Sequence, residues 1–154
     1  AKFAAINFHT GTPNYRGIGC TNFAILNQEK QYGCTAHIIN EKVDYGKILD
    51  VKRFKILKKD NLISVLRKVY KIQYLQIINI MKNLLSDHRS INRLIRSSKK
   101  EKWSNRLYTR KDLDALYEVD PKINKKDLKI IIKALYYKKY KPYFLINKKK
   151  VEIK

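Results

Sequence analysis

Apolar residues come in short runs at both ends of the chain and as one long spaced stripe between them. The run Phe3-Ala4-Ala5-Ile6-Asn7-Phe8 stays apolar until Asn7, which predicts a short buried strand. Thr10 to Gly19 holds Gly11, Pro13, Asn14, Gly17 and Gly19, a density of turn formers that predicts a loop. Cys20 to Asn27 predicts a short helix that packs through Phe23, Ala24 and Leu26. Gly33 to Asn40 and Lys47 to Ile56 predict strands. In the second, Ile48, Val51, Phe54 and Ile56 break strict alternation, as a bulge would make them do.

Asp60 to Ser86 predicts a long helix, with Asp60 as its N-cap. Ile63, Leu66, Tyr70, Tyr74, Ile77, Met81 and Leu84 recur at steps of three and four, which assigns them to one apolar face. Residues 87–106 are polar and basic and read as a linker or extended arm. Thr109 to Tyr117 reads as a helix capped by Thr109, with Asp112 at the capping-box position, and Asn124 to Tyr137 as another capped by Asn124. Tyr143 to Ile153 reads as a hairpin turning at Asn147-Lys148. The expected organisation is an α/β core segment over 1–57, a packing helix over 58–86 and a basic extension over 87–154. The first strand reads as a buried parallel strand, which needs neighbours on both sides. Too few strands follow to supply them, so part of the fold is expected to be absent.

Composition refines this picture. With 154 residues, 44% hydrophobic and 31% charged, the chain has the profile of a globular domain with a real core. No apolar stretch reaches the ~18 residues of a membrane span, and no basic leader precedes an apolar run. The two cysteines, Cys20 and Cys34, have neither metal-ligand nor redox-motif spacing, which points to a cytoplasmic protein with reduced thiols. The formal charge is +22, and residues 51–154 carry 30 basic against 9 acidic side chains. Such a field attracts polyanions. Lys, Ile, Asn and Tyr, all with A/T-rich codons, make up 70 of the 154 residues, and 27 Lys stand against only 8 Arg. Compositional bias is therefore preferred to a dedicated nucleic-acid groove, with the lysines spread over solvated surface and the tyrosines largely buried.

The chemistry concentrates early. Asn7 and His9 are two apart on one strand, so they emerge on the same side near its C-terminal end. Val43-Asp44-Tyr45-Gly46 sets a carboxylate beside a tight turn. An amide can donate to a developing oxyanion, a neutral imidazole can take a proton, and a carboxylate can orient the ring and support its charge. These are the parts of an acyl-transfer site. His9, His37 and Asp44 are also of types that bind zinc, but no close-spaced ligand pair exists and no metal is expected. His37, within a strand, reads as structural. Tyr136, Tyr137, Tyr140, Tyr143 and Phe144 among lysines could stack bases, although a packed end with snorkelling lysines is preferred.

Asn7-Phe8-His9-Thr10-Gly11-Thr12-Pro13-Asn14-Tyr15-Arg16-Gly17 resembles the Asn-x-His-Pro-x-x-Pro-x-Tyr-Arg-Gly signature of the 10-formyltetrahydrofolate-dependent formyltransferases. Asn22-Phe23-Ala24-Ile25, Gly33-Cys34-Thr35-Ala36-His37 and Val43-Asp44-Tyr45-Gly46-Lys47-Ile48 follow in that family's order and spacing. A match spread over some fifty residues is far more specific than a short motif. Thr10 and Thr12 depart from the signature, which alters loop stiffness and leaves the chemical groups in place.

The resemblance implies the C-terminal part of a Rossmann-like formyltransferase domain with a small helical and β-hairpin tail. It also implies a formyl donor, 10-formyltetrahydrofolate, and formyl transfer to an amine. In that reading Asn7 holds the formyl oxygen, His9 stabilises its charge and moves protons, and Asp44 orients His9. Tyr15, Arg16, Asn22, Trp103 and Lys111 are the expected substrate-binding residues, with Arg16 and Lys111 suited to a diphosphate. Gly11, Pro13, Gly17 and Gly46 shape the loops. The Gly17-Ile18-Gly19 loop, Trp103 and Leu107-Tyr108-Thr109-Arg110-Lys111-Asp112-Leu113 are most similar to sugar N-formyltransferases, which act on nucleotide-linked amino sugars. The likeness is looser from Lys58 to Lys102. The alternatives are a methionyl-tRNA formyltransferase and a non-catalytic polyanion-binding remnant; a homodimer stays open. Family members carry an N-terminal half with folate-binding loops, none of which precedes Ala1 here, so the chain alone is expected to be inactive.

Overall fold

A computed structural model describes residues 5–87 and 89–153. In chain order the first elements are β1 (Ile6–His9), β2 (Arg16–Gly17), α1 (Cys20–Leu26), β3 (Gln31–Ile38) and β4 (Ile48–Lys55). The long helix α2 (Leu62–Ser86) and α3 (Ser90–Ser97) follow. The remainder comprises β5 (Leu107–Tyr108), α4 (Arg110–Ala115), β6 (Glu118–Val119), α5 (Lys125–Leu135), β7 (Tyr143–Ile146) and β8 (Lys149–Glu152).

The central sheet has the order β1-β3-β4, and both pairings are antiparallel. This corrects the expected parallel, fully buried first strand: β1 runs antiparallel to β3 and is half-buried apart from His9. An apolar run of this kind suits burial on both faces, but the one pairing of β1 among the described residues is with β3. Register sets Asn7 opposite His37 and His9 opposite Thr35. Between β3 and β4, Ala36 pairs with Asp50 and His37 with Ile48, so Leu49 is the extra residue of a bulge on the strand whose alternation is broken.

Helix α2 lies on this sheet through Leu62, Val65, Val69, Gln76 and Ile80. The periodic stripe assigned from the sequence lies about a quarter-turn round the helix, and Tyr70, Tyr74 and Met81 are exposed. Both faces are apolar, and spacing alone cannot tell which one meets the sheet. The cap also moves by one residue. Asn61 accepts from the Ser64 N–H in a capping box, while Asp60 takes the Leu57 N–H, the Ser64 hydroxyl and Lys68.

The supposed linker contains α3, whose Ile91, Leu94 and Ile95 pack with Ile6, Phe8, Ala36, Leu49 and Ile80. Four basic residues between Arg89 and Lys99 had obscured that i, i+3, i+4 pattern. The larger core joins α1, β3 and α2 to α4 and α5 through Phe23, Ala24, Tyr32, Val65, Val69, Leu113 and Leu135. Thr109 and Asp112 form a full capping box, and Asn124 caps α5 by accepting from the Asp127 N–H. Asn147 and Lys148 have φ of 48° and 63°, the paired left-handed geometry of a two-residue hairpin turn.

Only Tyr15 and Tyr32 of the eleven tyrosines are fully buried; Tyr70, Tyr74, Tyr136 and Tyr140 are exposed. The expectation of mostly buried tyrosines is therefore corrected. A tyrosine can cover a surface with its ring while its hydroxyl stays wet, so composition alone does not place it inside. Both cysteines are buried and free. No helix among the described residues is long and apolar enough to cross a membrane.

Candidate active site

Strand β1 delivers Asn7 and His9 to one face, and the loop before β4 brings Asp44 against both. Asn7 Nδ2 donates to Asp44 Oδ1 at 3.1 Å, and His9 Nδ1 lies 3.3 Å from Asp44 Oδ2. The Gly17 N–H donates to the same Oδ2 at 3.0 Å. His37 completes the group, since cross-strand pairing sets it opposite Asn7. Its Nε2 lies 3.1 Å from Asn7 Nδ2 and 3.5 Å from Asp44 Oδ1. The reading of His37 as merely structural misses this place in the cluster. The signal that could have found it is the strand register, which a single strand's period does not contain.

The tautomer of His9 follows from its neighbours. The Tyr15 carbonyl can only accept, so at 2.7 Å it requires a proton on Nε2. In the neutral ring, Nδ1 then turns its lone pair toward Asp44. Burial pushes the His9 imidazole below its ordinary 6.5, outweighing the upward pull of Asp44 and of the Tyr15 carbonyl. Burial alone would raise the Asp44 carboxyl, but the His37 hydrogen bond, the nearby His9 and the Gly17 N–H together hold it below 3.8. At neutral pH the cluster therefore presents an ionised carboxylate beside a neutral imidazole. A proton arriving at Nδ1 would be held by Asp44 at once.

The backbone around Asp44 is built for this position. Asp44 has φ of 44°, a left-handed conformation that Asp tolerates better than most residues. A side chain at Gly46 would put its Cβ 1.5 Å from the Ile38 carbonyl oxygen, so only glycine allows the loop to close against β3. At Gly11 a Cβ would meet His9 Nε2 at 2.3 Å, and its absence lets the loop reach the ring. Pro13 is buried, and its carbonyl accepts from the Ser104 N–H at 2.9 Å.

Several expected substrate-binding residues are committed elsewhere. Arg16 is buried and donates to the Val43, Asp44 and Ser104 carbonyls, with its guanidinium 4.2 Å from the Tyr45 ring centroid. It clamps the Asp44 loop and is not free for a diphosphate. Asn22 is buried and donates to the Ala134 carbonyl at 2.7 Å, which ties α1 to α5. Tyr15 is buried; its hydroxyl donates to Glu29 and accepts from Asn27, and its ring lies alongside Tyr108. Each is a polar residue beside a motif, yet buried polar groups usually find internal partners. Lys111 is exposed on α4, and nothing in the cluster contacts it. Trp103 does reach the site. Its indole N–H donates to the Gly46 carbonyl at 2.7 Å, and its ring meets His37 and His9 edge-on at 5.1 and 6.1 Å.

An amide donor, a neutral imidazole and a partly buried carboxylate within hydrogen-bond reach define, chemically, a site able to move an acyl group. The comparisons with known proteins agree with that class. The chain belongs to the formyl transferase family, whose model matches residues 2–81. It is 36% identical over 69 residues to the bifunctional polymyxin resistance protein ArnA of Wigglesworthia glossinidia brevipalpis, spanning 44% of this chain and 11% of that one. It is 43% identical over 58 residues to the methionyl-tRNA formyltransferase of Clostridium acetobutylicum, spanning 34% of this chain and 19% of the relative. Among solved structures, a sugar N-formyltransferase from Shewanella sp FDAARGOS_354 superposes with a TM-score of 0.74 at 27% identity, over 97% of this chain and 60% of its own. An N-formyltransferase from Helicobacter canadensis, solved with folinic acid and dTDP-3-aminofucose, superposes with a TM-score of 0.65 at 25% identity, over 95% and 52%. The chain thus spans between half and two thirds of the solved relatives and less of the curated ones. The mixed α/β architecture is the formyltransferase fold over that part.

Proposed function

We propose that Asn7, His9 and Asp44 are the transfer centre of an enzyme that formylates the amine of a nucleotide-linked amino sugar. The observation that carries the reading is the closed arrangement of Asn7 and His9 on the two oxygens of Asp44, in a chain of the formyl transferase family. The donor set fits the reacting end of 10-formyltetrahydrofolate, which would supply the formyl carbon. One N–H of Asn7 would turn from its present partners to the formyl oxygen and hold it as it gains charge. The His9 imidazole would take the proton of the amine as it adds to the formyl carbon and pass it to the leaving nitrogen as the donor's C–N bond breaks, with Asp44 stabilising the intervening imidazolium. Trp103 covers the imidazoles and would keep water from them. Arg16, Gly17 and Gly46 hold Asp44 in place.

The sugar acceptor is favoured because the likeness to the Shewanella sugar N-formyltransferase runs over 97% of the chain, including the tail. The alternative acceptor, methionyl-tRNA, draws on the 30 basic residues beyond residue 50. The test compares the chain alone with the chain fused behind the remaining N-terminal part of the Shewanella enzyme. Each is incubated with 10-formyltetrahydrofolate, a panel of dTDP-linked amino sugars and methionyl-tRNA, and products are read by mass spectrometry. The fusion should formylate an amino sugar, and the chain alone should not. Formylation of the tRNA alone would replace the sugar reading, and a folded fusion inactive on both would end the transfer reading.

A further inference from the structure

The two hydrogens of the Asn7 amide can be assigned from the groups around it. Asn7 Nδ2 lies 3.1 Å from Asp44 Oδ1 and 3.1 Å from His37 Nε2. Turning the amide over would set its oxygen against the carboxylate, two acceptors with no hydrogen between them, so the amide nitrogen must face Asp44. The His37 tautomer is fixed from the other side of its ring. Nδ1 lies 3.0 Å from the Ile38 carbonyl, which can only accept, so Nδ1 carries a proton and the neutral ring leaves its lone pair on Nε2. A proton on Nε2 would set two donors against each other. One N–H of Asn7 therefore goes to Asp44 and the other to His37. The His37 ring is confined while it accepts that bond. It is 2% exposed, the Trp103 ring meets it edge-on at 5.1 Å, and a Cβ at Gly46 would lie 3.2 Å from its Nδ1.

We infer that His37 is the positioning residue of the oxyanion donor: its Nε2 holds the Asn7 N–H that turns to the formyl oxygen. The inference rests on the reading of Asn7 as that donor. The bond to the Asp44 carboxylate is charge-assisted and the stronger of the two, so the N–H on the neutral imidazole is the one released. Its release exchanges one neutral acceptor for another, the ring nitrogen for the formyl oxygen, and gains little in the ground state. The gain comes as that oxygen takes up charge, which is where binding energy accelerates a reaction. Before the donor arrives, Asp44 fixes which way the amide faces and His37 keeps it from rotating out of line. His37 touches no substrate in this scheme and acts through Asn7.

Two measurements test this. Nitrogen NMR of the isotope-labelled chain, with no folate present, reads the hydrogen bond itself. His37 is expected as the Nδ1–H tautomer, with a scalar coupling across the bond between Asn7 Nδ2 and His37 Nε2. A proton on Nε2 at neutral pH, or no such coupling, overturns the inference. The second measurement is the kinetics of the fusion with the N-terminal part of the Shewanella enzyme. His37→Leu fills the space without an acceptor, and His37→Gln offers an amide oxygen in place of Nε2. Circular dichroism checks that each variant is folded; should the leucine variant not fold, the coupling decides. His37→Leu should lower kcat by about 10–100-fold, less than the loss of Asn7 itself, and leave KM for 10-formyltetrahydrofolate within about twofold. His37→Gln should keep at least about a third of the parent kcat. A part played by packing alone would slow both variants alike or act through KM, and either result overturns the inference. A folded fusion that forms no product from any acceptor sinks the transfer reading and this inference with it. A productive fusion in which His37→Leu is as fast as the parent sinks the inference alone.

Discussion

Removing the Arg16 side chain should loosen the site from behind without touching its reacting groups. The guanidinium donates to Val43 O at 2.9 Å, Asp44 O at 3.0 Å and Ser104 O at 3.1 Å, from a position only 7% exposed. Hydrogen bonds from a charged donor contribute about 1.5–3 kcal/mol each. Arg16→Ala leaves three carbonyls without a donor, but the 41–46 loop lies at the surface and can turn some of them to water, so the lower end applies. The expected loss is about 4 kcal/mol, which at 2–4 °C per kcal/mol for a domain of this size lowers Tm by roughly 8–16 °C. Arg16→Lys keeps the charge but not the fork and should recover less than half of the loss. Asp44 would lose its fixed place opposite His9, so its carboxyl should return upward toward the ordinary value of 3.8. Thermal melts by circular dichroism give the first quantity, and an NMR titration of the Asp44 carboxyl gives the second. A Tm drop under about 3 °C, or Arg16→Lys matching the wild type, would refute the clamp.

Other outcomes follow from the same geometry. The His9 imidazole is held below 6.5 and the Asp44 carboxyl below 3.8, so at each group the unfolded chain binds the more protons as pH falls. Stability should drop in two steps on acidification, first below pH 6.5 and then below 3.8; urea melts across pH that show stability rising below 6.5 would contradict this. Asp44→Asn removes the group that raises the His9 pKa and should move the His9 NMR midpoint further down. Ile80→Ala on the buried face of α2 should cost about 2–5 kcal/mol, while Tyr74→Ala, at 63% exposure, should stay within about 0.5 kcal/mol; the reverse order would put the sheet on the other face. Gly46→Ala drives a Cβ toward the Ile38 carbonyl and should destabilise by more than about 2 kcal/mol in chemical denaturation, and a neutral result would contradict the tight loop.

Local chemistry was the most legible part of the sequence. The Thr109–Asp112 capping box, the Asn124 cap and the Asn147-Lys148 turn depend on residues within four positions of one another, and all three form as read. The same-side placement of Asn7 and His9 also follows from one strand's period. What spacing could not supply was the identity of the neighbour. Both faces of α2 are apolar, so spacing does not single out the one that meets the sheet, and the direction of β1 depends on a strand thirty residues away. Arg16, Asn22 and Tyr15 look like surface chemistry beside a motif, yet each is consumed by a carbonyl or a carboxylate brought in from distant sequence. His37 is the converse case. It is a residue with no local signal that the sheet register sets against Asn7 and Asp44.

The central claim is that Asn7, His9 and Asp44 act on a formyl group, and the rate of transfer in the fusion described above tests it most directly. Single-turnover rates should be compared for the parent and for Asn7→Ala, His9→Ala and Asp44→Asn, each shown to be folded. Losing the oxyanion donor Asn7 should slow transfer by about 10²–10³. Losing the proton acceptor His9 should slow it by about 10²–10⁴. Asp44→Asn should lower the rate and also shift its acid limb, because the group facing His9 Nδ1 is no longer charged. Variants that each keep more than about a tenth of the parent rate would contradict the account, because groups acting on the transition state cannot be removed so cheaply.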